Sequence, residues 1–112
     1  MPSWVVVAAR PTQNAVSENA TRYAAPSGFL QQNLTEPETQ LRVRGSYVLS
    51  NLYVRVSTNE LAGNSTYRSR RNGVNGNLAV TVPGGATGVF EDNIHSDNLV
   101  DGNLFNTRIV DL

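Results

Sequence analysis

The 112-residue chain has no cysteine, no lysine, one histidine, one methionine and one tryptophan. Without cysteine there is no disulfide and no thiolate metal site, and the redox compartment leaves no mark. With His95 alone, no histidine cluster can ligate a metal. General acid–base work also needs a reacting and an orienting group within reach, and the spacing specifies neither, so no catalytic residue is expected. The nine basic residues are all arginine and are balanced by nine acidic ones. A net charge of zero excludes a dominant nonspecific nucleic-acid role and leaves little repulsion against self-association. Long apolar runs are missing too. The longest, residues 4–9, is too short to span a bilayer and lacks the positive flank of a signal peptide. No membrane partner, metal or cofactor is expected.

Period-two patterning is abundant. Leu52, Val54 and Val56 alternate with Tyr53 and Arg55, with Val48 in phase upstream. A polar loop follows over 57–65, then a strand over 66–71. Asn72-Gly73 and Asn75-Gly76 are both hairpin turn pairs, because Asn and Gly tolerate positive φ. One suffices for the tight turn, and the other can close a bulge or a wider loop. Leu78, Val80 and Val82 form a second apolar face, which Pro83-Gly84-Gly85 ends. No three-and-four spacing survives here, so helix is not expected.

Elsewhere the pattern gives an apolar strand over 3–9, a strand over 38–44 with Leu41 and Val43 inward, and a long strand over 47–56 bent at Ser50-Asn51. A short strand over 89–91 precedes a polar loop over 92–97. Leu99-Val100 adds a further short strand, Asp101-Gly102-Asn103 a turn, and 104–110 a closing strand with Phe105, Thr107 and Ile109 on one side. Seven or eight strands at this spacing make one all-β domain over 1–112, a sandwich or barrel. Residues 12–37 are polar and weakly patterned, with Tyr23, Phe29 and Leu30 as anchors. They read as an extended N-terminal arm laid along a neighbouring chain.

Two polar groupings are candidate sites. Arg42, Arg44 and Arg55 lie opposite the apolar faces of their strands, and Arg68 and Arg70 alternate with Tyr67 and Ser69. If these strands are neighbours, they share an arginine–tyrosine face with Tyr47, Leu49 and Tyr53. That face reads as a solvated surface with local ion pairs, as a subunit interface, since Arg and Tyr are enriched at interfaces, or as a glycan or nucleic-acid surface. Glu91, Asp92, Asn93, Asp97, Asp101 and Asn103 supply oxygen ligands, but at no calcium-loop spacing. They read as Asp/Asn turn caps. The triplets beginning at Asn19, Asn33 and Asn64 match the N-glycosylation pattern, as chance allows in an Asn- and Thr-rich chain.

The run YRSRRNGVNGNLAVTVPGGATGVFEDNIHSDNLVDGNLFNTRIV resembles a pattern of small β-proteins of tailed bacteriophages. Asn72-Gly73, Leu78, Val80, Val82, Gly88, Phe90, Asp92, Ser96 and Gly102 fall on it, and LSNLYVRVSTN upstream looks similar. Asn103 stands where the family often has Asp, against a ligated metal there. The resemblance covers about residues 45–112. It implies an antiparallel jelly roll, often a homotrimer, found as capsid decoration (cement) proteins or as fibre parts. With no fibrous stem, the chain looks more like a decoration protein on the outer surface of the virion, bound to the major capsid protein. The alternative is a receptor- or glycan-binding fibre head. The 1–37 segment would reach a neighbouring subunit or the shell.

Overall fold

A computed structural model of the chain describes residues 21–24 and 36–111. The strand expected over 3–9 and most of the expected arm, with Phe29 and Leu30, lie outside the described residues. The elements are β1 (Thr21–Ala24), a 3-10 turn (Glu36–Thr39), β2 (Leu41–Arg42), β3 (Tyr47–Val56), β4 (Ser65–Arg71), β5 (Val74–Val82), β6 (Gly88–Leu99) and β7 (Leu104–Asp111). All pairings are antiparallel. One sheet has the order β1-β7-β4-β5, with β2 beside β1 on the same edge of β7, and β3 and β6 form a separate two-stranded ribbon. Among the described residues, no helix is long and apolar enough to cross a membrane.

The central hairpin forms where the turn residues direct it. Asn72 and Gly73 have φ of 53° and 75°, the geometry of a type I′ turn. The turn is tied to β7 by the Asn72 N–H donating to Leu104 O at 2.7 Å, and by the Leu104 N–H donating to Asn72 Oδ1 at 2.8 Å. The second pair, Asn75-Gly76, lies inside β5 at an irregularity. Between Arg68↔Ala79 and Arg70↔Asn75, β5 advances four residues while β4 advances two. β3 and β6 repeat this arrangement. Ser50 pairs with Ser96 and Leu52 with Asp92, around Asn51 at φ 56°.

These two bulges explain where the structure departs from the alternation. Asn51 reverses the faces of β3, so Val48 is not in phase with Leu52. It points away from the core and is 66% exposed, while Leu49 packs inward on Val43, Leu99 and Phe105. The polar loop expected over 92–97 is instead the middle of the continuous strand β6. The strand expected over 38–44 shrinks to β2, because Thr39 Oγ1 donates to Glu36 O and Gln40 N–H to Pro37 O, coiling the chain before it. Leu41 is consequently half exposed, while Val43 is buried. Within the expected arm, Thr21–Ala24 is a strand of the large sheet, paired to β7.

The inward face of the large sheet carries Leu78, Val80, Val82, Phe105 and Ile109, all buried. The ribbon's inward residues Leu52, Val54, Val56 and Phe90 lie over β5 half-buried. The turn 83–85 ends β5 as the proline and glycines direct, with the Ala86 N–H donating to Pro83 O at 3.1 Å. Leu78→Ala should therefore destabilise the fold by about 2–5 kcal/mol, whereas Val48→Ala should change the stability of the unassociated chain by no more than about 0.5 kcal/mol. Urea unfolding checks both, and equal losses would contradict the reversal at Asn51.

Candidate functional site

Among the described residues β5 is an edge strand, so the amides on its outer side need acceptors from outside their own sheet. β6 supplies them from side chains. Asp97 Oδ1 accepts from Asn77 N–H at 2.7 Å, and Oδ2 takes a longer contact from Leu78 N–H at 3.5 Å and the Ser69 hydroxyl. Asp92 Oδ2 accepts from Ala79 N–H at 3.0 Å, and its Oδ1 from the amides of Ile94 and His95 at 3.1 Å each. Asp97 thus closes the bulge of β5, while Asp92 closes the bulge of β6 and also reaches β5. Both carboxylates are buried. Gly76 makes room for this, since a Cβ there would lie 2.6 Å from Asp97 Oδ2. Asn77 Nδ2 donating to Ser96 O, and Arg71 Nη1 donating to Asn98 O, extend the same seam.

Asp92, Asp97 and Asp101 are therefore engaged by amides and cations. Asp101 accepts from Gly45 N–H and pairs with Arg44 at 3.3 Å, and Asn103 Oδ1 accepts from Val100 N–H. No group of three or more metal-ligating side chains occurs among the described residues. The His95 ring places Nδ1 2.9 Å from Asp92 Oδ2, but its side chain is 58% exposed and no hydroxyl is hydrogen-bonded to it among the described residues. Backbone amides, with His95, hold the Asp92 carboxyl well below its ordinary 3.8 against the opposing effect of burial.

The eight arginines and tyrosines singled out in the sequence do not share one face, because β3 and β4 belong to different sheets. Tyr53 and Arg55 face outward on the ribbon, where Val48, Val89 and Glu91 accompany them. Ile94, on β6, is 84% exposed. Tyr47 is turned to the inward side at the end of the ribbon, half exposed, with its hydroxyl donating to Arg44 O. Arg42 donates to Gly102 O at 3.1 Å. Tyr67 lies on the inward face of the large sheet beside Ile109 and Val80. There burial, and secondarily the charge of Asp111, pushes its phenol up.

Arg68 and Arg70 occupy the outward face of the large sheet. Arg70 forms a two-pronged pair with Glu36, at 2.8 and 2.9 Å, and also donates to Asn75 Oδ1 and Gly73 O. This hydrogen bonding lowers the Glu36 carboxyl and raises the guanidinium. Asn106, fully buried, donates to Glu36 Oε2 and Thr39 Oγ1, which fastens the 3-10 turn to the sheet. Sequence reasoning missed Arg108, which shares this face opposite Arg68. Its signal is in the sequence: it alternates with Thr107 and Ile109, which with Phe105 share one side of the closing strand.

Comparison of the chain with protein-family models, with curated proteins and with solved structures returns no match.

Because the Asp92 carboxyl is held below its ordinary value, its stabilisation is complete above pH 3.8 and is lost as the pH falls from there. Asp92→Asn should lower stability at neutral pH and flatten the acid limb of the stability–pH curve. Urea unfolding over a pH series reads both, and an unchanged acid slope would contradict the assignment.

Proposed function

We propose that the chain is a structural virion protein: a capsid decoration (cement) protein that binds the outer shell of a tailed bacteriophage as a homotrimer and acts by contact rather than catalysis. The observation that carries a contact role is the outward side of the β3–β6 ribbon. It exposes Val48, Tyr53 and Val89 on a two-stranded sheet with no third strand among the described residues, and Ile94 is exposed in the bulge of the same ribbon. Apolar and aromatic side chains clustered on a small domain mark a surface that meets another macromolecule. The likeness of residues 45–112 to phage β-modules supplies the finer terms of the reading: jelly roll, trimer and capsid.

In this account the ribbon's outward side meets a second copy of the chain. The trimer then bridges neighbouring capsid subunits, and mass action raises the stability of the bound shell. Firm seating of the ribbon on the large sheet suits this role. A contact face held by buried carboxylates and bulges loses little conformational freedom on docking.

Light scattering on the isolated chain should give a mass near three times 12.2 kDa. Tyr53→Asp with Ile94→Asp should reduce it to that of a single chain while leaving a cooperative melt. A wild-type monomer with a cooperative melt would contradict the trimer. Copy counting on purified particles separates the roles: many copies support decoration, and a few would assign a fibre head instead.

A further inference from the structure

We propose that the outward face of the large sheet holds an oxyanion-binding site between Arg68 and Arg108, a site independent of the ribbon and of the virion reading. The register sets Arg68 of β4 directly opposite Arg108 of β7. Like charges in that position repel, so the arrangement favours an anion between them. Among the described residues no carboxylate fills that place. Glu36, the nearby acid on this face, is hydrogen-bonded to Arg70 through both oxygens, and its charge reaches Arg108 without a hydrogen bond or ion pair to it.

The two guanidiniums differ in how they are held. Arg68 Nη1 donates to Gly76 O at 3.2 Å, so the bulge of β5 anchors it. Arg108 makes no side-chain hydrogen bond or ion pair among the described residues, and its Nε is buried without a partner. A buried donor left unpaired is costly, and a bound acceptor would remove that cost. Both arginines line a shallow pocket of about 360 Å³ together with Thr66, Asn75 and Val110. Asn75 Oδ1 already accepts from Arg70, which leaves its amide N–H groups to donate. The Thr66 hydroxyl adds another donor, and Val110 an apolar margin.

A pocket this rich in donors suits an anion and not a metal cation. Guanidinium forks match the oxygens of a carboxylate or a phosphate, and desolvated pairs of that kind are the strong ones. The pocket takes one such group presented by a larger molecule. With a net charge of zero and no lysine, the chain has no extended basic track for a polyanion backbone.

The test is an NMR titration of the full chain with inorganic phosphate and, separately, with acetate, following the arginine Nε–H resonances. Saturating shifts are expected at Arg108 and Arg68. Arg108→Gln and Arg68→Gln should each weaken binding about tenfold or more, while Arg44→Gln, at the exposed pair with Asp101, should leave it unchanged. Tighter saturation by phosphate assigns a phosphate ligand, and tighter saturation by acetate assigns a carboxylate. Shifts that never saturate, or an Arg44→Gln loss equal to that of Arg108→Gln, would overturn the site. If Arg108→Gln fails to melt cooperatively, Arg68→Gln decides.

Discussion

The amides on the outer edge of β5 need acceptors, and the rest of the molecule is arranged around how they find them. In an ordinary sheet a further strand would pair there. Here Asp92 and Asp97 of β6 take that role from the side, so the ribbon is joined to the large sheet by carboxylate–amide bonds as well as by apolar contact. Burying a carboxylate costs several kcal/mol, which is offset only where its oxygens are hydrogen-bonded. Each of these two is. Hydrogen bonds to a charged partner contribute about 1.5–3 kcal/mol apiece, so removing either acceptor would strand several donors together.

The two bulges follow from the same constraint. The extra residues of β5 present Asn77 and Leu78 amides to Asp97, and those of β6 fold Ile94 and His95 amides back on Asp92. Each bulge also turns side chains toward a surface. The one at Asn51 rotates Val48 out to join Tyr53 on the ribbon's exposed side. The one at Gly76 offers a carbonyl to Arg68 and so fixes one wall of the pocket it shares with Arg108. Two irregularities in an otherwise plain antiparallel fold thus position both surfaces to which a partner is assigned. Bulges commonly serve to re-aim side chains in this way.

Much of the fold was legible in the sequence. The hairpin, its Asn72-Gly73 turn and the buried face of Leu78, Val80 and Val82 follow from turn chemistry and period two. The bend near Ser50-Asn51 was legible as well, but not its consequence, because a positive φ at one Asn reverses every later side chain and alternation cannot register the slip. The stretch from Asp92 to Asp97 looked like a loop for a related reason. Asp92 and Asp97 are inside because they answer backbone amides of another strand, and a one-dimensional pattern holds no record of that strand. The proposed sharing of one face by Arg42, Arg44, Arg55, Arg68 and Arg70 depended on which strands are neighbours. That is decided by long-range pairing, and it set Arg108, not Arg55, beside Arg68.

Amide hydrogen exchange tests the central claim most directly, read at Asn77 and Ala79. If Asp97 and Asp92 close the edge of β5, these two amides should exchange only through opening of the whole fold, at the rate of core amides such as Ile109. Exchange at the speed of open edge-strand amides, with Ile109 still protected, would show that the carboxylates do not join the ribbon to the sheet.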